Sequence, residues 1–143
     1  MSENCTVEEL SNFFHEIGEP YNLGCYEDDT RRWISFCETE YPQKGICMVK
    51  KWAVVECEFN EASNAYLCAK GFQPIVLHSN YVIWDSENRW SSGSFASSSL
   101  LVSIEENCLF ITKSTVYILV GKGHRKSISP KILVALMEGL DVS

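Results

Sequence analysis

The chain has 143 residues, of which 45% are hydrophobic and 12% aromatic, so one domain spanning 1–143 can build a real core. Its formal net charge of −7 argues against a general nucleic-acid binder, which needs clustered Lys and Arg for phosphate. Apolar runs such as Val116 to Val120 are too short to cross a bilayer, and the acidic N-terminus is unlike a basic leader, so we expect a cytoplasmic protein.

In chain order, Thr6-Val7-Glu8-Glu9 has the spacing of a capping box. Val7, Leu10, Phe13, Phe14 and Ile17 follow the helical period until Gly18 and Pro20 stop it. A second helix is expected from an Asp cap in Glu27-Asp28-Asp29, through Trp33, Ile34, Phe36 and Cys37, to Tyr41-Pro42 and Gly45. Ile46 to Phe59 reads as a long strand bent near Lys50-Lys51, and Asn60 to Lys70 as either a short helix or a loop ending at Gly71. Ile75 to Asp85 is the next strand, with a turn or bulge at Asn80, followed by a polar Ser/Gly stretch over Ser86 to Ser99.

Leu100 to Ile104, Cys108 to Thr112 and Thr115 to Val120 are separated by Glu105-Glu106-Asn107 and Lys113-Ser114. Connections this short join antiparallel neighbours, so a meander is expected. Ser129-Pro130 opens a closing helix with Ile132, Leu133, Leu136, Met137 and Leu140 as its apolar stripe. The expected class is α+β: an antiparallel sheet of about five strands packed with two N-terminal helices and one C-terminal helix.

The chemistry-bearing residues are scattered. Seven cysteines, at 5, 25, 37, 47, 57, 68 and 108, form no C-x-x-C pair and read as reduced, mostly buried side chains. Cys68 with His78, or Cys108 with His124, are the pairs a Cys-dependent enzyme would use, yet neither lies in a nucleophile motif. His15, His78 and His124 share no metal-ligand spacing, so we expect no metal, no cofactor and no catalytic residue. Gly121-Lys122-Gly123-His124-Arg125-Lys126 follows a strand with two glycines and a run of cations, which makes Lys122, His124, Arg125 and Lys126 candidates for contacting an anion or nucleic acid from a loop.

Charge is unevenly spread: no Lys or Arg occurs before Thr30, and no acid between Lys113 and Lys131. Glu16, Glu19, Glu27, Asp28 and Asp29 are either a solubilising face or a surface that imitates nucleic-acid phosphate toward a basic partner. Arg89 and Trp90, in a turn among serines, suit an interface anchor.

Val82-Ile83-Trp84-Asp85, Asn88-Arg89-Trp90, Gly93, Ser98-Ser99 and the series Leu109-Phe110, Thr112, Thr115-Val116-Tyr117, Leu119, Gly121, Gly123 and Arg125 resemble a small family of uncharacterised phage and prophage proteins. The resemblance covers about the C-terminal half and carries no assigned catalytic residues. It implies a bacterial-virus setting, and with it a non-enzymatic, anti-CRISPR-like inhibitor that binds basic RNA- or DNA-handling subunits of a host defence complex. A small Cys-dependent enzyme and a nucleic-acid-contacting accessory protein using Gly121 to Lys126 are the alternatives.

Overall fold

The computed structural model describes residues 6–139. Helix α1 (Val7–His15) begins with the expected capping box: the Thr6 hydroxyl accepts from the Glu9 amide and the Glu9 carboxylate accepts from Thr6 N–H. It ends before Ile17, and β1 (Glu19–Tyr21) follows. A 3₁₀ turn over Glu27–Asp29 leads into α2 (Thr30–Glu40). Asp29 holds the cap position without a side-chain capping bond, so the turn's own backbone starts the helix rather than the expected Asp cap.

The long strand is β2 (Gly45–Cys57), and the ambiguous segment after it is a helix, α3 (Glu61–Ala69), capped by Asn60 and followed by Gly71 at positive φ. Then come β3 (Ile75–Asp85), β4 (Ala96–Ser97), β5 (Ser103–Glu105), β6 (Leu109–Ile111), β7 (Thr115–Leu119), β8 (Gly123–Ile128) and α4 (Pro130–Gly139). Of the stripe expected on α4, Ile132 and Leu133 pack inward, while the Leu136, Met137 and Leu140 side chains lie outside the described ones.

The α+β class holds, but the sheet is mixed rather than a five-stranded antiparallel meander, and α3 adds a helix. Among the described residues eight strands join in one sheet, ordered β1-β8-β2-β7-β6-β5, with β3 on the other side of β2 and β4 beyond it. The meander exists as β5-β6-β7. What short connections could not reveal is that β7 and β8 both return beside β2 and run parallel to it. Gly123 to Lys126, expected in a loop, is therefore strand: β8 runs between β2 and β1.

Two irregularities coincide in the middle of β2. Lys51 adopts a left-handed φ of 51°, so Val49 and Trp52, three residues apart, both pack into the same core layer. Opposite it, the path from Leu119 to His124 takes five residues where β2 takes four from Val49 to Ala53, and the surplus forms the break at Gly121-Lys122 between β7 and β8. On the β3 side, Lys51 and Asn80 drop out of the pairing, and Ser79 Oγ donates to the Lys50 carbonyl at 2.9 Å. The ladder's true register slip lies at Ile83, beyond the expected Asn80.

One sheet face curls around a core of Cys47, Val49, Trp52, Val54, Leu77, Val82, Phe110, Tyr117 and Leu119. The opposite face is covered at two places. Alpha-helix α2 packs over Ile46, Met48, Leu109, Ile111, Val116 and Ile118, and α1 with α4 packs over Ala53, Val55, Cys57, Val76 and Ile128. Between these two helical covers lies the β2 kink.

Candidate functional site

A cleft of about 300 Å³ occupies that gap, lined by the end of α1, the β2 kink, the middle of β3 and the start of β8. It gathers His15, His78 and His124, which are all the histidines of the chain, with Lys51, Lys122 and Lys126. Its other walls include Phe14, Ile17, Trp52 and Asn80, and among the described residues Glu16 is its one carboxylate.

Each member is there for a local reason. Lys51 stands at the kink, in a conformation that costs an ordinary L-residue about 1–2 kcal/mol; a strained residue kept at a cleft is a reason to look for function there. Lys122 sits between Gly121, at positive φ, and Gly123, whose missing side chain leaves room for the Trp52 indole. Trp52 floors the cleft and donates Nε1–H to the Val120 carbonyl at 3.3 Å.

Lys126 is already engaged: its ammonium donates to the Phe13 carbonyl at 2.7 Å and lies 4.6 Å from the centre of the Phe13 ring, so it closes the C-terminal end of α1. Burial lowers its pKa, partly opposed by Glu16. His15 is held on α1 through Nδ1, 2.8 Å from the Ser11 carbonyl.

His78 is buried on β3, with Nδ1 3.1 Å from Ser97 Oγ and Nε2 3.1 Å from Asn80 Oδ1. Rings of Phe13, Phe14 and Phe95 surround it at centroid distances of 5.9, 5.3 and 6.4 Å. Burial drives its pKa down to about 4, against the opposing bond to Asn80 and with a small push from Lys126. Between pH 4 and its ordinary 6.5 the unfolded chain therefore holds more protons at this site than the folded one. Stability is full above pH 6.5 and falls on acidification. We expect urea unfolding to lose about 2 kcal/mol from pH 7 to pH 5, and the His78→Gln variant to lose most of that dependence.

The acids expected to share one face are divided. Glu16 lines the cleft and Glu19 lies 3.8 Å from Arg125, whereas Glu27, Asp28 and Asp29 head α2. Arg125 is directed to Glu19, Glu56 and the Tyr21 ring, and is not among the cleft-lining residues.

Arg89 is drawn inward. It forks onto Asp85 at 2.9 and 3.2 Å, donates to Thr115 Oγ1 at 2.8 Å and stacks on Trp90, which packs against Tyr117. The pair that suited an interface anchor thus ties the β3 turn to β7, and Trp84 is the tryptophan left exposed.

The Cys–His pairs are not assembled. Cys108 lies beside Cys25 in the layer under α2, while His124 faces the cleft. Cys68 is exposed on α3, and His78 is engaged by Ser97 and Asn80. Burial pushes the Cys37 and Cys47 thiols up to about 12 and Cys57 to about 11, which leaves them as inert core groups. Cys5 lies outside the described residues.

Residues 22–135 match the family described as Domain of unknown function (DUF6957). The chain belongs to this family. No curated protein and no solved structure matches it. The DUF6957 span supplies the sheet side of the cleft, with Lys51, Trp52, His78, Asn80, Lys122, His124 and Lys126. Phe14, His15, Glu16 and Ile17 precede it, so the α1 wall is built by residues outside the span.

Lys122, His124 and Lys126 are legible in the sequence as anion-contact candidates; Lys51 and the aromatic wall are not, and His15 and His78 are visible there only as metal or Cys-partner candidates. The only local signal for Lys51 was the bend. Histidines at 15, 78 and 124 have no spacing to notice, because strand pairing alone brings them together.

Proposed function

We propose that the protein is a cytoplasmic binding module that acts by occupancy rather than turnover, and that the cleft at the β2 kink holds an anion. The observation carrying this reading is the convergence of Lys51 and Lys122 from two coincident breaks in the sheet, with His15 and His124 beside them. Lys51 and Lys122 are both exposed; what sets them apart from scattered surface lysines is that the sheet brings them to one cleft with a partly apolar floor, where their fields add.

The strain at Lys51 provides the test. Lys51→Gly removes the cost of the left-handed backbone together with the charge. It is expected to leave thermal stability unchanged or raise it by up to about 1 kcal/mol, while weakening pyrophosphate binding about tenfold in calorimetry. Lys122→Glu is expected to weaken binding at least as much. Unchanged affinity in both variants would remove the reading.

A second reading rests on charge at the other end of the sheet. Glu27, Asp28 and Asp29 form the turn that heads α2, and at the other end of that helix burial raises the Tyr41 pKa, with Glu105, Glu40 and Glu106 adding to it. This acidic end would suit a basic protein surface, such as a subunit of a host defence complex, with electrostatic steering as its contribution. The phage setting of that reading rests on sequence resemblance alone. Reversing Glu27, Asp28 and Asp29 to Lys should abolish binding to a basic target protein if this end docks it, and intact binding would refute it.

A further inference from the structure

We infer that the anion held in the cleft is the phosphate of a nucleotide, with the base stacked on Phe14; this rests on the anion-binding reading above. Phosphate alone would need only the cations. The cleft adds an aromatic wall beside them: Phe14 lines it, and its ring is tilted onto the buried His78 ring, which also meets Phe95.

These rings are not all used up by the core. Phe14 is 39% exposed and Phe95, which meets His78 but is not among the cleft-lining residues, 60%, in a chain that buries its other phenylalanines wholly or in part. Phe14 shares α1 with Phe13, which is buried under the same helix, so the sequence places one ring in the core and the next at the mouth of the cleft.

His78, kept neutral by its burial, backs Phe14 without adding charge to the stacking wall. Lys126 fixes the end of α1 through the Phe13 carbonyl and thereby holds the wall against β8. The geometry thus sets one partly exposed aromatic ring, Phe14, in the same cleft as Lys51, Lys122 and His124, in a space of about 300 Å³, at the small end of ligand pockets. A planar ring joined to a phosphate meets both halves of that cleft. Sugar phosphates use only the cationic half and nucleosides only the aromatic half.

The shared chemistry, phosphate and base, occurs in free nucleotides and at the end of a single strand. Glu16 at the rim adds one like charge against any anion, and the cations must outweigh it.

The test is a calorimetric titration of the full chain with AMP, ribose 5-phosphate, adenosine and pyrophosphate, with a short single-stranded oligonucleotide as a further arm. AMP is expected to bind about tenfold or more tighter than ribose 5-phosphate, since stacking of one base on one aromatic ring carries that much. Phe14→Leu should remove this advantage and leave ribose 5-phosphate binding unchanged, while Phe14→Tyr should retain it. Tighter binding of the oligonucleotide than of AMP identifies a strand end as the source, and equal or weaker binding a free nucleotide; either supports the inference. Equal affinity for AMP and ribose 5-phosphate, or an AMP advantage that survives in Phe14→Leu, overturns the nucleotide inference and leaves the anion cleft standing. Failure of pyrophosphate and every phosphate ester to bind overturns both.

Discussion

Replacing Asp85 with alanine is expected to destabilise the fold by about 3–5 kcal/mol in urea or thermal unfolding. Its side chain is fully buried and accepts the Arg89 guanidinium fork together with the Arg89, Glu87 and Trp90 amides. Burial would raise this carboxyl, but the Arg89 side chain with the Arg89 and Glu87 amides outweighs it and holds the pKa below the ordinary value. Alanine would leave the partly buried Arg89 without its carboxylate, and the turn amides without their acceptor. Loss of the partner is the larger part of the cost, so Asp85→Ala combined with Arg89→Met should be less damaging than Asp85→Ala alone. A loss under about 1 kcal/mol for Asp85→Ala would mean that the turn does not depend on this pair.

Trp52→Ala should cost a similar amount, about 3–5 kcal/mol, because it empties the junction where β2 kinks and β7 gives way to β8. The indole is buried against Gly123, with its Nε1–H on the Val120 carbonyl. Gly123→Ala would press a methyl group into that ring, at a cost of about 1–3 kcal/mol. In the Trp52→Ala background the same glycine change should cost much less, because the space is then open. Additive losses would show that the close approach of Gly123 to the indole contributes nothing to the junction.

The local elements were legible because their signals are local. Thr6 and Glu9 announced the start of α1, Pro130 the start of α4, and Lys50-Lys51 the bend in β2. Glu105 to Asn107 and Lys113-Ser114 gave the meander, with Glu106 and Asn107 taking the positive φ values of a tight turn.

The parallel pairing of β2 with β7 and β8 was not legible, since nothing between residues 57 and 115 says where the chain returns. That pairing decides the site. It brings Lys122 and His124 beside Lys51, and β3 and α1 complete the walls with His78, His15 and Phe14. The structural part of Arg89 was hidden for a related reason: its carboxylate partner lies four residues earlier and is only apparent once the turn is closed.

The measurement that most directly tests the cleft as the binding site is amide chemical-shift mapping by NMR with pyrophosphate added to the full chain. The cleft reading predicts saturable shifts concentrated at Lys51 to Ala53, Gly121 to His124 and His15 to Ile17, suppressed in Lys51→Gly. Shifts centred on α2 or α3 instead, or no saturable shift at all, would contradict it.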